Sequence, residues 1–169
     1  IHSSLFGPFR RLRRRGCLNL RSTVEAVKDT ILPLIKNGEI TLPFEFPENF
    51  IGKLKRINIV ACGSAFHVGV AGKYIIEDMS RIPVNVDIAS EFRYRNPIVD
   101  KNDLCIFISQ SGETADTLAS LREAKKRGAF TLSVVNVPFS TIARESDGVI
   151  YTNAGAEIAV ATTMAFSAQ

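Results

Sequence analysis

The sequence of 169 residues predicts an α/β fold: a doubly wound, five-stranded parallel sheet covered by helices on both faces, preceded by an N-terminal helical lead-in. Two observations carry this prediction. Short, near-continuous Val/Ile-rich runs alternate with stretches of helical period, the pattern of parallel strands buried on both faces. A hydrophobic content of 46% over this length then allows one domain with a real core.

The elements follow in order. Thr23 to Ile35 reads as a helix, with Val24, Val27, Ile31 and Leu34 or Ile35 at helical spacing, and Asn37-Gly38 is expected to stop it. A connector punctuated by Pro43 and Pro47 and a basic lead-in (Lys53, Lys55, Arg56) come next. Ile57 to Ala61 is the first strand and Ser64 to Met79 a helix; Val84 to Ile88 and Leu104 to Ile108 are the second and third strands. Thr114 to Arg127 is a helix ended by Gly128, with Leu118, Leu121 and Ala124 on its apolar face. Thr131 to Val137 is the fourth strand, Thr141 to Ser146 a short helical segment and Val149 to Thr152 the fifth strand. In such sheets ligands collect at the carboxyl ends of strands, where adjacent crossovers leave in opposite directions. With strand order 2-1-3-4-5, the loops Cys62 to Ala65 and Ser109 to Thr114 are neighbours at that point.

The net charge of +4 is not spread along the chain: residues 1 to 22 hold six arginines and no acid, leaving 15 basic against 17 acidic residues elsewhere. This local arm makes nucleic-acid binding a poor expectation for the whole. Apolar runs fall far short of the ~20 residues a membrane span needs. An odd set of cysteines (Cys17, Cys62, Cys105) suits a reducing compartment, and a cytoplasmic location is expected.

Several motifs are eliminated. Gly72-Lys73 resembles the end of a Walker loop, but His67 stands at the required glycine and Tyr74 at the required hydroxyl. Gly63 is followed only by Gly69 and Gly72, which is not a dinucleotide fingerprint, and this pair is expected to let a helix pack closely on the sheet. His2 and His67, without a Cys-x-x-Cys, offer no metal site, and no cofactor is expected. Cys62 and His67 are five residues apart, so a nucleophilic pair is disfavoured against a packed thiol.

The segment Ser109-Gln110-Ser111-Gly112-Glu113-Thr114 remains. Three hydroxyls and a glycine sit where a buried strand hands over to a helix, so unpaired amides and the positive end of the helix dipole converge on one spot, where an anion, a phosphate, is expected. The loop contains no lysine or arginine, so hydroxyls and amides must do the binding. Glu113 is read as structural, because its charge beside a phosphate is unfavourable unless it points away.

Ala61 to Ser64, Ala89 to Pro97, Ser109 to Thr114, Val135 to Pro138 and Ala161 to Phe166 together resemble the first sugar-isomerase (SIS) subdomain of the glutamine:fructose-6-phosphate aminotransferase, or glucosamine-6-phosphate synthase, family. The serine loop alone says only SIS domain; Ser90-Glu91-Phe92-Arg93-Tyr94-Arg95-Asn96-Pro97 narrows the match to the synthases. The resemblance implies a SIS fold of flavodoxin-like order. It implies that Ser109, Gln110, Ser111 and Thr114 grip the phosphate of fructose 6-phosphate or glucosamine 6-phosphate. Ser64, Ala65, Val160 and Thr162 would line the sugar. Ala65 and Met164 depart from a family hydroxyl and a family lysine.

The resemblance also implies three regions: an Arg-rich, non-matching arm over 1–23, which an upstream frame shift or fusion would explain; a helical lead-in and linker over 24–52; and a SIS subdomain over 53–169, truncated at its C-terminus. No catalytic residue is expected in the chain. The general-base Glu, Schiff-base Lys and ring-opening His of the family belong to the second SIS subdomain, the C-terminal tail or a partner subunit, and the ammonia comes from a separate glutaminase domain. A sugar-phosphate ligand, these missing domains and a homodimer of the full-length protein are the expected partners. The alternative is a non-catalytic SIS module that senses sugar phosphates in a regulator.

Overall fold

The structure, a computed structural model, describes residues 23–155 and 163–169. The Arg-rich arm lies outside the described residues.

Helix α1 covers 23–31, shorter than the expected helix to Ile35. A 3-10 turn over Leu32–Leu34 follows, where Pro33 supplies no N–H and its ring opposes helix continuation. Ile35–Lys36 (β1) and Glu39–Ile40 (β2) then pair antiparallel, Ile35 opposite Ile40. Asn37 and Gly38, at φ 53° and 82°, form the tight turn between them. Asn-Gly with both residues at positive φ is the signature of a type I′ hairpin, so this pair closes a ribbon rather than stopping a helix.

After the short helix α2 (Phe50–Lys53), the main domain alternates β3 (Arg56–Ala61), α3 (Ser64–Ser80), β4 (Val84–Ile88), α4 (Ala89–Tyr94), β5 (Asp103–Ser109), α5 (Ala115–Lys126), β6 (Phe130–Val135), α6 (Thr141–Glu145) and β7 (Gly148–Tyr151), followed by α7 (Thr163–Ala168). The five strands are parallel in the order β4-β3-β5-β6-β7, which is the expected 2-1-3-4-5. Strand β6 ends at Val135, two residues before the expected Val137. Helix α4 comes from the Ala-Ser-Glu-Phe-Arg-Tyr segment, whose six residues are too few to show a helical period.

Strand side chains alternate between two cores. Val60, Cys105, Phe107 and Val135 face α4, α5 and α6, where they meet Phe92, Leu121, Ala124 and Ile142. Ile57, Ile59, Ala61, Leu104, Ile108 and Leu132 face the other side, with α3 and the Phe44-Phe46-Phe50-Phe130 cluster. Phe46 stacks on Phe50 at 5.5 Å between centroids and lies 5.1 Å from Phe130, anchoring the linker to the sheet.

The two glycines of α3 behave differently. A Cβ at Gly69 would stand 2.8 Å from Ile59 Cγ2 and 3.1 Å from Val86 Cγ1, so its absence sets the approach of α3 to the sheet. Gly72 faces open space, against the expectation that both glycines serve packing.

Candidate functional site

Parallel register brings the two loops together. Ala61 pairs with Ile108 and Val135 with Ser109, so Cys62 to Ser64 and the serine loop emerge side by side at the carboxyl ends of β3 and β5, with Asn136 next at the end of β6. Gly63 turns the chain from β3 into α3 at φ 60°, ψ −135°, a conformation only glycine takes without strain. Ser64 is the exposed first residue of α3, whereas the Ala65 methyl is buried in the core beneath it. Any contact of Ala65 with a ligand would therefore come from its backbone.

The serine loop is built by its own hydrogen bonds. Ser109, the buried last residue of β5, accepts the Gly112 N–H at its Oγ (3.0 Å) and is hydrogen-bonded to Thr114 Oγ1 at 3.1 Å. Ser111 Oγ, on the exposed rim, accepts the Glu113 N–H at 3.2 Å. The Thr114 hydroxyl therefore points back to Ser109 and makes no cap bond to α5. Ala115, Asp116 and Thr117 occupy the first turn of α5, where amides have no intrahelical acceptor, and these N–H groups face the same end of the helix dipole. Asp116 lies 3.3 Å from Arg93 of α4, a cation that offsets an acid in this turn.

Gly112 is the pivot of the loop. Its φ is +66°, and a Cβ there would stand 2.0 Å from Ser140 Oγ and 2.5 Å from Ser140 Cβ. The Gly112 carbonyl accepts the Ile142 N–H (3.0 Å) and the Gln110 carbonyl accepts the Asn136 N–H (3.2 Å), tying the loop to the β6-α6 connection. Ser140 Oγ is buried without a hydrogen-bond partner against this glycine. Glu113 does point away: its carboxylate accepts the Thr141 N–H at 2.7 Å. That backbone bond, then the Thr141 side chain and the charge of Arg144, hold its carboxyl below the ordinary glutamate range.

Asn136 organises the far side. Its Oδ1 accepts the Ala154 N–H (2.8 Å) and the Thr152 hydroxyl (3.2 Å), while its Nδ2 donates to the Gly155 carbonyl (3.1 Å). Asn153 is fixed to α1 through Thr30 Oγ1 and the Asp29 carbonyl. The chain leading into residue 156 is thus pinned beside the serine loop. Val160 and Thr162 lie outside the described residues. On the other side of that stretch, Met164 is half-buried against Ala26, Ala154 and Ala165, an apolar seat on α1.

Cys62 is half-buried and its sulfur accepts the Thr117 hydroxyl at 3.8 Å, while His67 is exposed with its ring against Phe66, so each side chain has a partner other than the other. A cavity of about 620 Å3 between Phe50, Lys53, Lys101 and Phe130 lies at the amino ends of β5 and β6, the opposite edge of the sheet from the serine loop. Sequence reasoning found the loop from its hydroxyl pattern. It missed the roles of Asn136 and Ser140, which depend on contacts made only after folding; Asn136 fell inside the expected strand to Val137, whereas the strand ends at Val135. The arrangement presents neutral donors around one point, suited to holding and orienting an anion.

The family model described as SIS domain matches residues 50–169. Glutamine–fructose-6-phosphate aminotransferase (isomerizing) of Clostridium tetani is 56% identical over 147 residues, 86% of this chain and 24% of that protein. The Chlorobaculum tepidum enzyme of the same name is 60% identical over 115 residues, 68% of this chain and 19% of that protein. Among solved structures, the C-terminal domain of glucosamine-fructose-6-phosphate aminotransferase from Francisella tularensis aligns with a TM-score of 0.79 at 46% identity, covering 87% of this chain and 43% of that one. The sugar isomerase domain of an RpiR transcription factor from Sphaerobacter thermophilus aligns at 0.69 with 19% identity, over 90% of this chain and 83% of that one, a likeness of fold alone. The chain spans about a quarter of the length of the curated relatives it matches.

Proposed function

Because the chain belongs to the SIS domain family, we propose that its serine loop is the phosphate grip of the isomerase part of a glutamine–fructose-6-phosphate aminotransferase, binding fructose 6-phosphate or glucosamine 6-phosphate in amino-sugar biosynthesis. The observation that carries this is the loop itself: Ser109, Ser111, Gly112 and Thr114 are locked by mutual hydrogen bonds while the first-turn amides of α5 lack helical acceptors. A phosphate dianion supplies the acceptors these groups lack. Relatives bearing the aminotransferase name at 50% identity or more support the substrate class, whereas the regulator likeness extends to the fold only.

In this reading Ser109, Gln110, Ser111 and Thr114 hold the phosphate. Ser64 and the Ala65 backbone approach the sugar from the end of β3, and Val160 and Thr162 are the further sugar-lining positions. The Ser109 hydroxyl also bonds the Gly112 N–H and Thr114 Oγ1, so besides facing the phosphate it holds the loop in shape for the amides. The chain binds and orients; proton transfer and ammonia delivery fall to a second SIS subdomain and a glutaminase domain, in a cytoplasmic homodimer. Residues 53–169 form the binding subdomain, 24–52 its lead-in, and 1–23 an arm outside it.

Calorimetric titration of the chain with glucosamine 6-phosphate tests this. We expect saturable binding that Ser109→Ala weakens at least tenfold, and a far weaker response to glucosamine lacking the phosphate. Equal affinity for the two sugars would refute the proposal.

A further inference from the structure

We infer that Glu113 is a positioning residue for the phosphate loop, a latch that holds the loop against the start of α6 through the Thr141 amide. The inference rests on the reading of the serine loop as a phosphate grip. An acid within a phosphate-binding loop is an electrostatic liability, yet here the carboxylate is turned outward to accept the Thr141 N–H at 2.7 Å. The neighbouring residue adds a second tie, the Ile142 N–H to the Gly112 carbonyl at 3.0 Å. Ser140 closes against Gly112 between them.

The receiving segment is itself braced. Arg144 donates from Nη1 to the Phe139 carbonyl (2.8 Å) and from Nη2 to Thr141 Oγ1 (3.2 Å), fixing the strand-to-helix connection that the carboxylate grips. Phe139 sits at φ 59°, a left-handed conformation that a free chain would leave readily, so its bracing needs bonds on both sides. The Glu113 N–H is meanwhile held by Ser111 Oγ. The residue therefore joins the exposed serine of the loop to α6: backbone inward, carboxylate across. Releasing the carboxylate leaves the loop tied to α6 through the Ile142 N–H alone, and with one of the two ties gone the amides lining the anion position are held less firmly in a common direction.

Three forms of the chain separate this role from a general structural one: the native sequence, Glu113→Ala and Glu113→Gln. Each is titrated with glucosamine 6-phosphate, and amide exchange is followed in the unliganded protein. Glu113→Ala should weaken binding roughly five- to tenfold, about 1.0–1.4 kcal/mol, and speed exchange at Thr141 and Ile142 while exchange in β5 is unchanged. Glu113→Gln, whose amide oxygen still accepts the Thr141 N–H, should recover most of both effects. Unchanged exchange at Thr141 and Ile142 in Glu113→Ala, or a Gln variant as defective as Ala, overturns the inference. If the native chain does not bind glucosamine 6-phosphate, the phosphate-grip reading falls, and the exchange data still decide whether the latch exists.

Discussion

Replacing Gly112 by alanine perturbs the site at its tightest point. The new methyl would lie 2.0 Å from Ser140 Oγ, about 1 Å inside the 3.0 Å limit that real Cβ atoms respect. Ser140 is only 4% exposed and stands at the start of α6, so it cannot swing into solvent. Relief requires α6 and the loop to part, stretching the Ile142–Gly112 and Thr141–Glu113 hydrogen bonds. Two costs follow: about 1–2 kcal/mol for a side chain at positive φ, and about 1–3 kcal/mol for overpacking. Urea denaturation should therefore show Gly112→Ala destabilised by about 2–5 kcal/mol.

The two costs can be separated in a double-mutant cycle. Ser140→Gly removes both atoms that the methyl would overlap and deletes a buried hydroxyl with no partner, so it should restore the overpacking part and leave the backbone part. A coupling energy of about 1–3 kcal/mol is expected. A Gly112→Ala chain within about 0.5 kcal/mol of the native one, or a cycle that adds without coupling, would refute the reasoning.

Two further outcomes are expected. Burial pushes the Cys105 thiol up to about 12 from its ordinary 9.0, with Asp103 adding to the effect, so the native state keeps this proton after the unfolded chain has released it. That stability is fully present below pH 9.0 and is lost as pH rises towards 12, at a slope approaching about 1.4 kcal/mol per pH unit. Urea midpoints from pH 8 to 11 should fall less steeply for Cys105→Ala, and parallel slopes would contradict the assignment. On α3, Gly69→Ala should destabilise by about 1–3 kcal/mol through its contact with Ile59, whereas Gly72→Ala should stabilise by about 0.5–1 kcal/mol; thermal melts of equal midpoint would sink the distinction.

Most strand boundaries were legible because a strand buried on both faces is largely apolar, as in Leu104 to Ile108 and, Asn58 excepted, Ile57 to Ala61. The helix boundary at Ile31 was not, because Leu34 and Ile35 continue the apolar period while Pro33 breaks the backbone that would support it. The Asn37-Gly38 signal was visible but ambiguous, since the same pair can end a helix or close a hairpin, and only the opposing Ile35 and Ile40 decide. At the site, the chain-local part was readable: hydroxyls, glycine, strand before and helix after. Asn136 and Ser140 lie about 25 to 30 residues downstream, and the sheet register alone brings them to the loop. Glu113 was legible by a charge argument without its partner, since an acid in that position has to turn away and Thr141 is where it turns.

The central claim is that the amides at the start of α5, framed by Ser109 to Thr114, receive a sugar phosphate. Backbone amide shifts of the chain recorded during titration with glucosamine 6-phosphate test it most directly. The account predicts saturable shifts concentrated at Gln110 to Thr117, with smaller ones at Ser64 and Ala65 and none at Lys101, Asn102 or Gly128 on the opposite edge of the sheet. Shifts confined to that opposite edge, or none at millimolar ligand, would contradict it.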